Sequence, residues 1–435
     1  MTLTGRLVVA LAVAIVACAR SITDDPGPDP RLGVPDACAG LSCKRVSCSA
    51  GSATRLRGRV LDPAGVRGLY GVSVYVPNGP IAPLDHGAKC KPCAGRRVDA
   101  AASVLTDVRG EFILDDVPVD ARVPVVVELG SWRRVVEVSV TPCTDTRIDD
   151  DKTRLPRDSR EGELPLIAVT TGAADALECL LRNAGIADEE FVAAGDDRGR
   201  VHMYRGKGGG GRRGAFITDA ADLWNDAKRL APYDIVVLSC EGTDALENKG
   251  GDAPSARGAM ASYAKSGGHV FATHLHSVWL QRSPDEDFRN VASWTAPADI
   301  GDEYGVDTSF PKGDAFAAWL LETRASPTRG RIVLDNVTAS AGAIRAGVAH
   351  GWIRQAVDRT RYFSFNTPVG AGRDSACGRV VFGDLHAFGL GGSDFPDGCP
   401  GDRNALTPQQ LALEFLLFDA FACVDDDALP PTPPR

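Results

Sequence analysis

The chain has 435 residues, which is enough for two or three domains at about 150 residues each. Hydrophobic residues make up 44% of it and charged residues 24%, an ordinary balance for a globular protein. The formal net charge is -9 and no Lys/Arg-rich stripe is present. The composition therefore excludes a general nucleic-acid-binding surface, and we expect no nucleic-acid partner.

The N-terminus predicts export and lipid attachment. Arg6 precedes the apolar segment "LVVALAVAIVA", which is too short to span a membrane and runs directly into Cys18. The stretch "IVAC" resembles the bacterial lipoprotein box, which implies a signal peptide over 1–17 and lipidation of Cys18. The alternative is an ordinary secretory signal followed by a structural cysteine. Ala19 after the cysteine, in place of Asp, implies sorting to the outer membrane.

Residues 18–53 are predicted to be a disordered tether and Cys-rich leader, because the segment after Cys18 is rich in Pro, Asp and Gly. An exported chain with 12 cysteines is expected to contain disulfides. The pair Cys90 and Cys93, in "CKPC", has a competing interpretation as zinc ligands. The predicted oxidising compartment favours disulfides over zinc at this pair.

Residues 54–145 predict a small all-β sandwich. Strand-like runs are "TRLRGRVLDP", "YGVSVYVPN", "VPVVVELG" and "RRVVEVSV". Between them, "TDVRGEFILDDVP" places a turn at 107–110 before Phe112 and Leu114, which share one face of a strand. This stretch resembles the carboxypeptidase regulatory-like and Cna-B-type domains. That resemblance implies a transthyretin-like seven-strand sandwich that serves as an accessory or stalk module.

A charged linker is predicted over 146–163, after which strands and helices alternate over 164–424. Continuous apolar runs such as "LPLIAVTTG" and "YDIVVLSC" indicate buried parallel strands. Amphipathic segments such as "DALECLLRNAG" and "ARGAMASYAKSGG" indicate helices that end at glycine. The alternation predicts a doubly wound α/β domain, followed by a disordered tail over 425–435.

The order "YDIVVLSCEG", "MASYAKSGGHVFATH", "GRVVFGDLH" and a final helix resembles the class I glutamine-amidotransferase-like fold, in its trehalose-utilisation-type branch. This implies a flavodoxin-like sheet. The whole arrangement resembles large surface lipoproteins of myxobacterial-type bacteria. Working class I amidotransferases need a nucleophilic cysteine on the strand-to-helix turn, and the resemblance puts His274 at that position. Glutamine amidotransferase activity is therefore not expected.

The carboxyl ends of the predicted parallel strands form the candidate pocket, since ligands of open α/β sheets bind there. The candidate pocket residues are Cys240, Glu241, His274, His276, Asp384 and His386. Residues two apart on an extended strand share a face, so His274 and His276 would converge if the strand reached that far. With His386 they would suit a divalent metal ion and a metal-bound water. The alternative is that all are polar strand-end residues bonded to loops.

Two disulfides are predicted in the α/β region. Cys377 starts a strand and Cys423 ends the final helix, which returns antiparallel to it, so the two would lie on the same side and pair. Cys240 and Cys399 both fall near the ligand-side edge and would form a second bridge, which would remove Cys240 as a nucleophile. Cys179 lies among leucines of the first helix and is expected in the core.

These observations predict a cell-envelope lipoprotein with a binding or structural role and a catalytically degenerate amidotransferase-like domain. Its partners would be the membrane, through the lipid anchor, and an extracellular or periplasmic ligand. The alternative function is a metal-dependent hydrolase that acts on an extracellular glycan or related polar substrate.

The lipid anchor predicts that a Cys18→Ser variant leaves the membrane fraction, because acyl chains contribute about 0.8 kcal/mol of membrane affinity per buried CH₂ group. Fractionation of cells that express each form, followed by immunoblotting, measures this. Retention of the variant in the membrane fraction would contradict lipidation at Cys18.

Overall fold

The computed structural model describes residues 38–49, 51–93, 98–253, 255–388, 392–400 and 405–434. The predicted signal peptide, the lipidation of Cys18 and most of the tether lie outside these residues. Among the residues described, no helix is long and apolar enough to cross a membrane.

Seven strands in two sheets make up the first half of the fold, one sheet ordered β4-β1-β7 and the other β3-β2-β5-β6. The strands are β1 (Arg55–Arg59), β2 (Ser73–Pro77), β3 (Ala100–Leu105), β4 (Glu111–Leu114), β5 (Val123–Leu129), β6 (Trp132–Val138) and β7 (Asp145–Arg147). Phe112 and Leu114 alternate with exposed residues on β4, as predicted. Gly110 ends the predicted turn at φ +76°, where a Cβ atom would lie 2.2 Å from the carbonyl oxygen of Val60. This position requires glycine.

A ten-stranded mixed sheet makes up the second half, ordered β14-β13-β15-β16-β17-β12-β11-β8-β10-β9. Its strands are β8 (Ile167–Thr171), β9 (Phe191–Ala193), β10 (Val201–Arg205), β11 (Ile235–Leu238), β12 (His269–Thr273), β13 (Glu303–Val306), β14 (Arg331–Val333), β15 (Ala349–Arg354), β16 (Thr360–Thr367) and β17 (Gly378–Gly383). The block from β17 to β9 is parallel, and β16, β15, β13 and β14 extend it antiparallel. The parallel part confirms strands buried on both faces, as the apolar runs predicted.

Helices cover both faces of this sheet. They are α2 (Leu177–Asn183), α3 (Ala220–Trp224), α4 (Ala227–Leu230), α5 (Ser255–Lys265), α6 (Val278–Gln281), α7 (Glu286–Arg289), α8 (Pro311–Glu322) and α9 (Pro408–Phe421). A further short helix, α1 (Asp150–Thr153), packs against β1 and β6 of the seven-stranded half. Val237 of β11 belongs to the core beneath α2, α8 and α9, whereas its neighbours Val236 and Leu238 belong to the core beneath α3 to α6. This alternation follows the two-residue period of the strand.

Helix α9 joins the two halves of the fold. It starts at Thr407 with a capping box to Gln410, and its residues are buried on nearly every side. Trp132 of the seven-stranded half packs against Phe418 and Phe421, with ring centroids 6.3 and 5.7 Å apart. One buried cluster therefore runs from the seven-stranded sheets through α9 to the large sheet.

The segments predicted as a linker and a disordered tail both pack against the fold. Arg154, in the predicted linker 146–163, is buried and donates to both carboxylate oxygens of Glu161 at 2.6 Å. In the predicted tail 425–435, residues 425–434 are ordered, and buried Asp427 pairs with Arg379 of β17 at 2.7 Å. Composition alone misled the prediction, because Arg154 and Asp427 are buried in ion pairs and do not extend into solvent.

Both predicted disulfides of the α/β region are wrong. Cys377 pairs with Cys90, and Cys423 pairs with Cys93. Cys377 and Cys423 do lie near the amino-terminal edge of the sheet. However, the segment that contains Cys90 and Cys93 crosses that edge and supplies a partner to each. These bonds also overturn the zinc alternative for Cys90 and Cys93.

Cys399 pairs with Cys179 of α2, so the predicted Cys240–Cys399 bond is wrong as well. A further bond joins Cys48 to Cys143. Within the described residues, Cys240 is the one free cysteine, and it is buried.

We expect the Cys93–Cys423 bond to stabilise the junction between the two halves, because it restricts the unfolded chain further than the neighbouring Cys90–Cys377 bond does alone. A Cys93→Ala, Cys423→Ala double variant should lose roughly 2–5 kcal/mol of unfolding free energy in urea denaturation, because the unfolded chain gains conformational entropy without this cross-link. Peptide mapping of the non-reduced wild type should recover the two cysteines in one linked peptide. An unchanged denaturation midpoint would contradict the stabilising role.

Candidate functional site

Three side chains from different strands converge at the carboxyl edge of the parallel sheet. Cys240 follows β11, His274 follows β12 directly, and His386 follows β17. The Sγ atom of Cys240 lies 3.0 Å from Nδ1 of His274, and Nε2 of His386 lies 2.8 Å from the same Nδ1. The three potential ligand atoms all lie within 4.8 Å of one another.

Nδ1 of His274 faces more partners than one hydrogen bond can serve. An imidazole nitrogen carries either one hydrogen or one lone pair, so it makes one linear hydrogen bond. Here both the thiol of Cys240 and Nε2 of His386 approach it. In a tetrahedral metal centre with bonds of about 2.0–2.3 Å, ligand atoms are about 3.3–3.8 Å apart. Small side-chain shifts would bring this cluster to that spacing.

The backbone at His274 is unusual. Its φ is +48°, in the left-handed region, which is uncommon for a residue with a side chain. The turn lies where β12 passes into a 3₁₀-helix, His274–Ser277. This strain projects the imidazole across the edge of the sheet, and such strained positions concentrate at functional sites.

The thiol of Cys240 is buried, with no exposed surface. Burial raises the pKa of this thiol, although backbone N–H groups of Gly242 and Leu275 point at the sulfur and favour the thiolate. The Gly242 N–H lies 3.4 Å from Sγ. A thiolate here therefore needs a positive charge beside it, and a substrate in solution cannot reach the sulfur directly.

Both histidines of the cluster are half-buried. Burial and the neighbouring His386 lower the pKa of His274 to about 4. Burial also lowers the pKa of His386. Both imidazoles are therefore neutral near pH 7, which is the form that binds metals.

His276 does not belong to the cluster, contrary to the prediction of a His274, His276 and His386 metal site. Its Nδ1 accepts from the indole N–H of Trp279 at 2.9 Å, and its Nε2 lies 2.8 Å from the carbonyl oxygen of Ser239. Both nitrogens are thus occupied. The prediction assumed an extended strand, whereas β12 ends at Thr273 and the 3₁₀-helix sends alternate residues in different directions.

Two other predicted pocket residues serve nearby loops. Glu241 forms a buried ion pair with Lys249 and accepts from the backbone N–H of Lys207 at 2.6 Å. Burial alone raises the pKa of Glu241, but His276 and Lys249 outweigh it and hold that pKa below its usual value.

Asp384 accepts from the backbone N–H groups of Ser340 and Ala341, at 2.9 and 3.0 Å. Burial raises the pKa of Asp384 to about 6. Neither Glu241 nor Asp384 lies among the three convergent ligand groups of the edge.

Asp175, which sequence analysis missed, connects the loops that carry the two histidines. It is fully buried after β8, and its Oδ1 accepts from the backbone N–H groups of Ala387 at 2.9 Å and Phe388 at 3.3 Å. Its Oδ2 accepts from the hydroxyl of Thr273 at 3.3 Å. Burial raises the pKa of Asp175 to about 6, so it is largely ionised near pH 7. The strand-edge rule that selected Cys240 would have selected Asp175 too.

The donor set favours particular metals. Thiolate and imidazole suit zinc, copper and other late transition ions, whereas magnesium, calcium and manganese prefer oxygen ligands. Cys240, His274 and His386 supply three ligands, and the two histidines are half-buried. Three protein ligands with an open position are typical of catalytic zinc sites.

Comparisons with known proteins do not identify the chain. No protein-family model matches it, and neither does any curated protein. Two type II cohesin–X-dockerin complexes of Acetivibrio cellulolyticus, mutated at the C-terminal and N-terminal interface, each share 14% identity with it. The first match covers 33% of this chain and 79% of the other at a TM-score of 0.17, and the second covers 34% and 88% at 0.16.

A 9R-lipoxygenase from Cyanothece PCC8801 shares 10% identity over 24% of this chain and 17% of the other, with a TM-score of 0.13. These TM-scores are too low to support an argument about fold or function.

Glu178, next to the site, predicts a pH dependence of stability. It is fully buried in α2, 3.4 Å from the hydroxyl of Ser239, and burial raises its pKa to about 8. The folded state therefore holds a proton that the unfolded state releases above its ordinary pKa near 4.5. The bound proton stabilises the folded state fully at low pH, and this stabilisation is lost as the pH rises toward 8. The unfolding free energy falls over that range by at most about 1.4 kcal/mol per pH unit.

A Glu178→Gln variant should lose this slope and be more stable than wild type at pH 8. Thermal unfolding of both proteins between pH 5 and pH 8 measures it. Parallel pH profiles for the two proteins would contradict a protonated Glu178.

Proposed function

We propose that this chain is a lipid-anchored cell-envelope protein whose α/β half binds one transition metal ion, zinc foremost, through Cys240, His274 and His386. The single observation that carries the proposal is the convergence of a thiol and two imidazole nitrogens within 4.8 Å. The seven-stranded half would act as a carboxypeptidase regulatory-like spacer between an outer-membrane anchor at Cys18 and the metal-binding half.

The surroundings of the three groups support a metal in preference to a catalytic thiol. Cys240 is buried without exposed surface, so it is poorly placed to attack a substrate. The N–H groups aimed at its sulfur would stabilise a thiolate ligand. A metal ion would supply the positive charge that a buried thiolate requires.

The amidotransferase resemblance supports the same conclusion. In that fold the nucleophilic cysteine occupies the strained turn between a strand and a helix. His274 takes that place here, with φ at +48°, and Cys240 follows the neighbouring strand β11. We therefore propose an amidotransferase-like, flavodoxin-like domain that has lost glutaminase chemistry and uses the same edge for a metal.

A second candidate function is metal-dependent hydrolysis of an extracellular glycan or related polar substrate. It is favoured by the difference in exposure: Cys240 is buried, whereas His274 and His386 are half-buried. A metal held by all three would keep a solvent-facing position for a water, and metal binding lowers the pKa of such a water. Hydrolysis of chromogenic glycosides or esters that requires zinc and is lost in His274→Ala would favour this candidate.

Metal binding is tested with the purified full chain, loaded with Zn(II), dialysed and analysed for metal content. Wild type should retain one zinc ion per chain, and His274→Ala and His386→Ala should retain far less, because each removes one of three ligands. His350→Gln is a matched control, since His350 is half-buried on β15 of the same sheet and outside the cluster.

Cobalt substitution tests the thiolate. Co(II)-loaded wild type should show a thiolate-to-metal charge-transfer band that Cys240→Ser lacks. Equal, near-zero zinc in wild type and His274→Ala would overturn the proposed metal centre.

A further inference from the structure

Asp175 is a buried carboxylate that accepts hydrogen bonds from residues next to two of the proposed ligands, although it is not itself one of the three ligands. One of its oxygens accepts the backbone N–H groups that follow His386, and the other accepts the hydroxyl of Thr273, directly before His274. The Asp175 side chain is thus bonded to the residues that directly follow His386 and to the residue that directly precedes His274. Outer carboxylates of this kind orient metal ligands and tune affinity.

The charge of Asp175 also acts at the centre. It is close enough to Cys240 for its negative charge to disfavour the thiolate when no cation is present. The hydrogen-bond donors to its carboxylate among the described residues are the backbone N–H groups of Ala176, Ala387 and Phe388 and the hydroxyl of Thr273, and none of these donors carries a charge. An ionised carboxylate in such a buried position is stabilised by a nearby cation.

Charge counting separates divalent from monovalent metals at this site. A divalent ion with one thiolate and two neutral imidazoles carries one net positive charge, and Asp175 neutralises it. A monovalent ion with the same ligands is already neutral, so Asp175 leaves a net negative charge in a buried place. Buried uncompensated charge is costly, so the carboxylate should discriminate between the two metal classes.

From this geometry, and resting on the proposed metal centre, we infer that Asp175 is a specificity-determining residue. It makes the Cys240, His274 and His386 centre selective for a divalent ion such as Zn(II) over monovalent Cu(I). A purely structural Asp175 would affect both ions equally.

The test measures the dissociation constants of Zn(II) and Cu(I) for the full chain at pH 7.5, by competition with chromophoric chelators, with ascorbate to maintain Cu(I). Asp175→Asn keeps the shape of the side chain and removes its charge. Its Zn(II) affinity should fall about 10–100-fold. Its Cu(I) affinity should fall far less, so that the ratio of the two affinities shifts toward Cu(I) by about tenfold or more.

Three further variants isolate the charge. Asp175→Ser is a second neutral variant, and it should show the same shift if Asp175→Asn does not fold. Asp175→Glu restores the charge and should return the ratio toward wild type. Thr273→Val removes the hydroxyl contact but no charge, so both affinities should fall together with an unchanged ratio.

The outcomes separate this inference from the proposed function. A wild-type chain that binds neither ion overturns the metal centre itself. A wild-type chain that binds zinc, with equal losses for Zn(II) and Cu(I) in the neutral Asp175 variants, overturns only the role of Asp175. A shifted ratio that Asp175→Glu does not restore also overturns it, because the effect would then come from shape.

Discussion

Burial of helix α9 on all sides is the constraint on which the rest of the structure depends. A helix normally keeps one polar face, yet residues of α9 from Gln410 to Phe421 are almost all buried. One side covers the large sheet and the other packs against Trp132 of the seven-stranded half. The apolar seam extends on both sides of the helix, so the two halves share a core and neither can bury its surface alone.

Buried polar contacts also cross this junction. Arg67 of the first half is buried between Asp62 and Glu414 of α9, at 2.7 Å from each. The indole N–H of Trp319 on α8 donates to the carbonyl oxygen of Gly68 at 2.7 Å. Such contacts fix the register of the two halves, since an unpaired charge in this position would be strongly destabilising. The disulfides Cys90–Cys377 and Cys93–Cys423 hold the opposite edge.

The two faces of the large sheet are buried, whereas the carboxyl edge of its parallel strands carries the three candidate metal ligands. Parallel strands β11, β12 and β17 end side by side, and each delivers one group of the cluster. The left-handed turn at His274 and the carboxylate of Asp175 set where these groups meet. Rigid strands with short loops are well suited to holding a metal, because preorganised ligands need little reordering on binding.

The sequence by itself determined the alternation of elements and the edge where polar residues gather. The apolar run "YDIVVLSC" indicated a buried strand, and Cys240 at its end therefore belonged to the ligand-side edge. The strand-edge rule placed His274 and His386 at the same edge for the same reason. Two-residue periodicity likewise predicted Phe112 and Leu114 on one face, since it depends only on neighbours in the chain.

Tertiary structure decided which of these residues meet. His276 is two residues from His274, yet the 3₁₀-helix turns its imidazole away from the cluster. The third group beside His274 is instead Cys240, which follows the neighbouring strand. The disulfide partners of Cys377, Cys423 and Cys399 come from distant segments for the same physical reason. Chain patterns report local conformation, but contacts between strand ends and loops depend on how whole layers pack, and no short-range pattern encodes that.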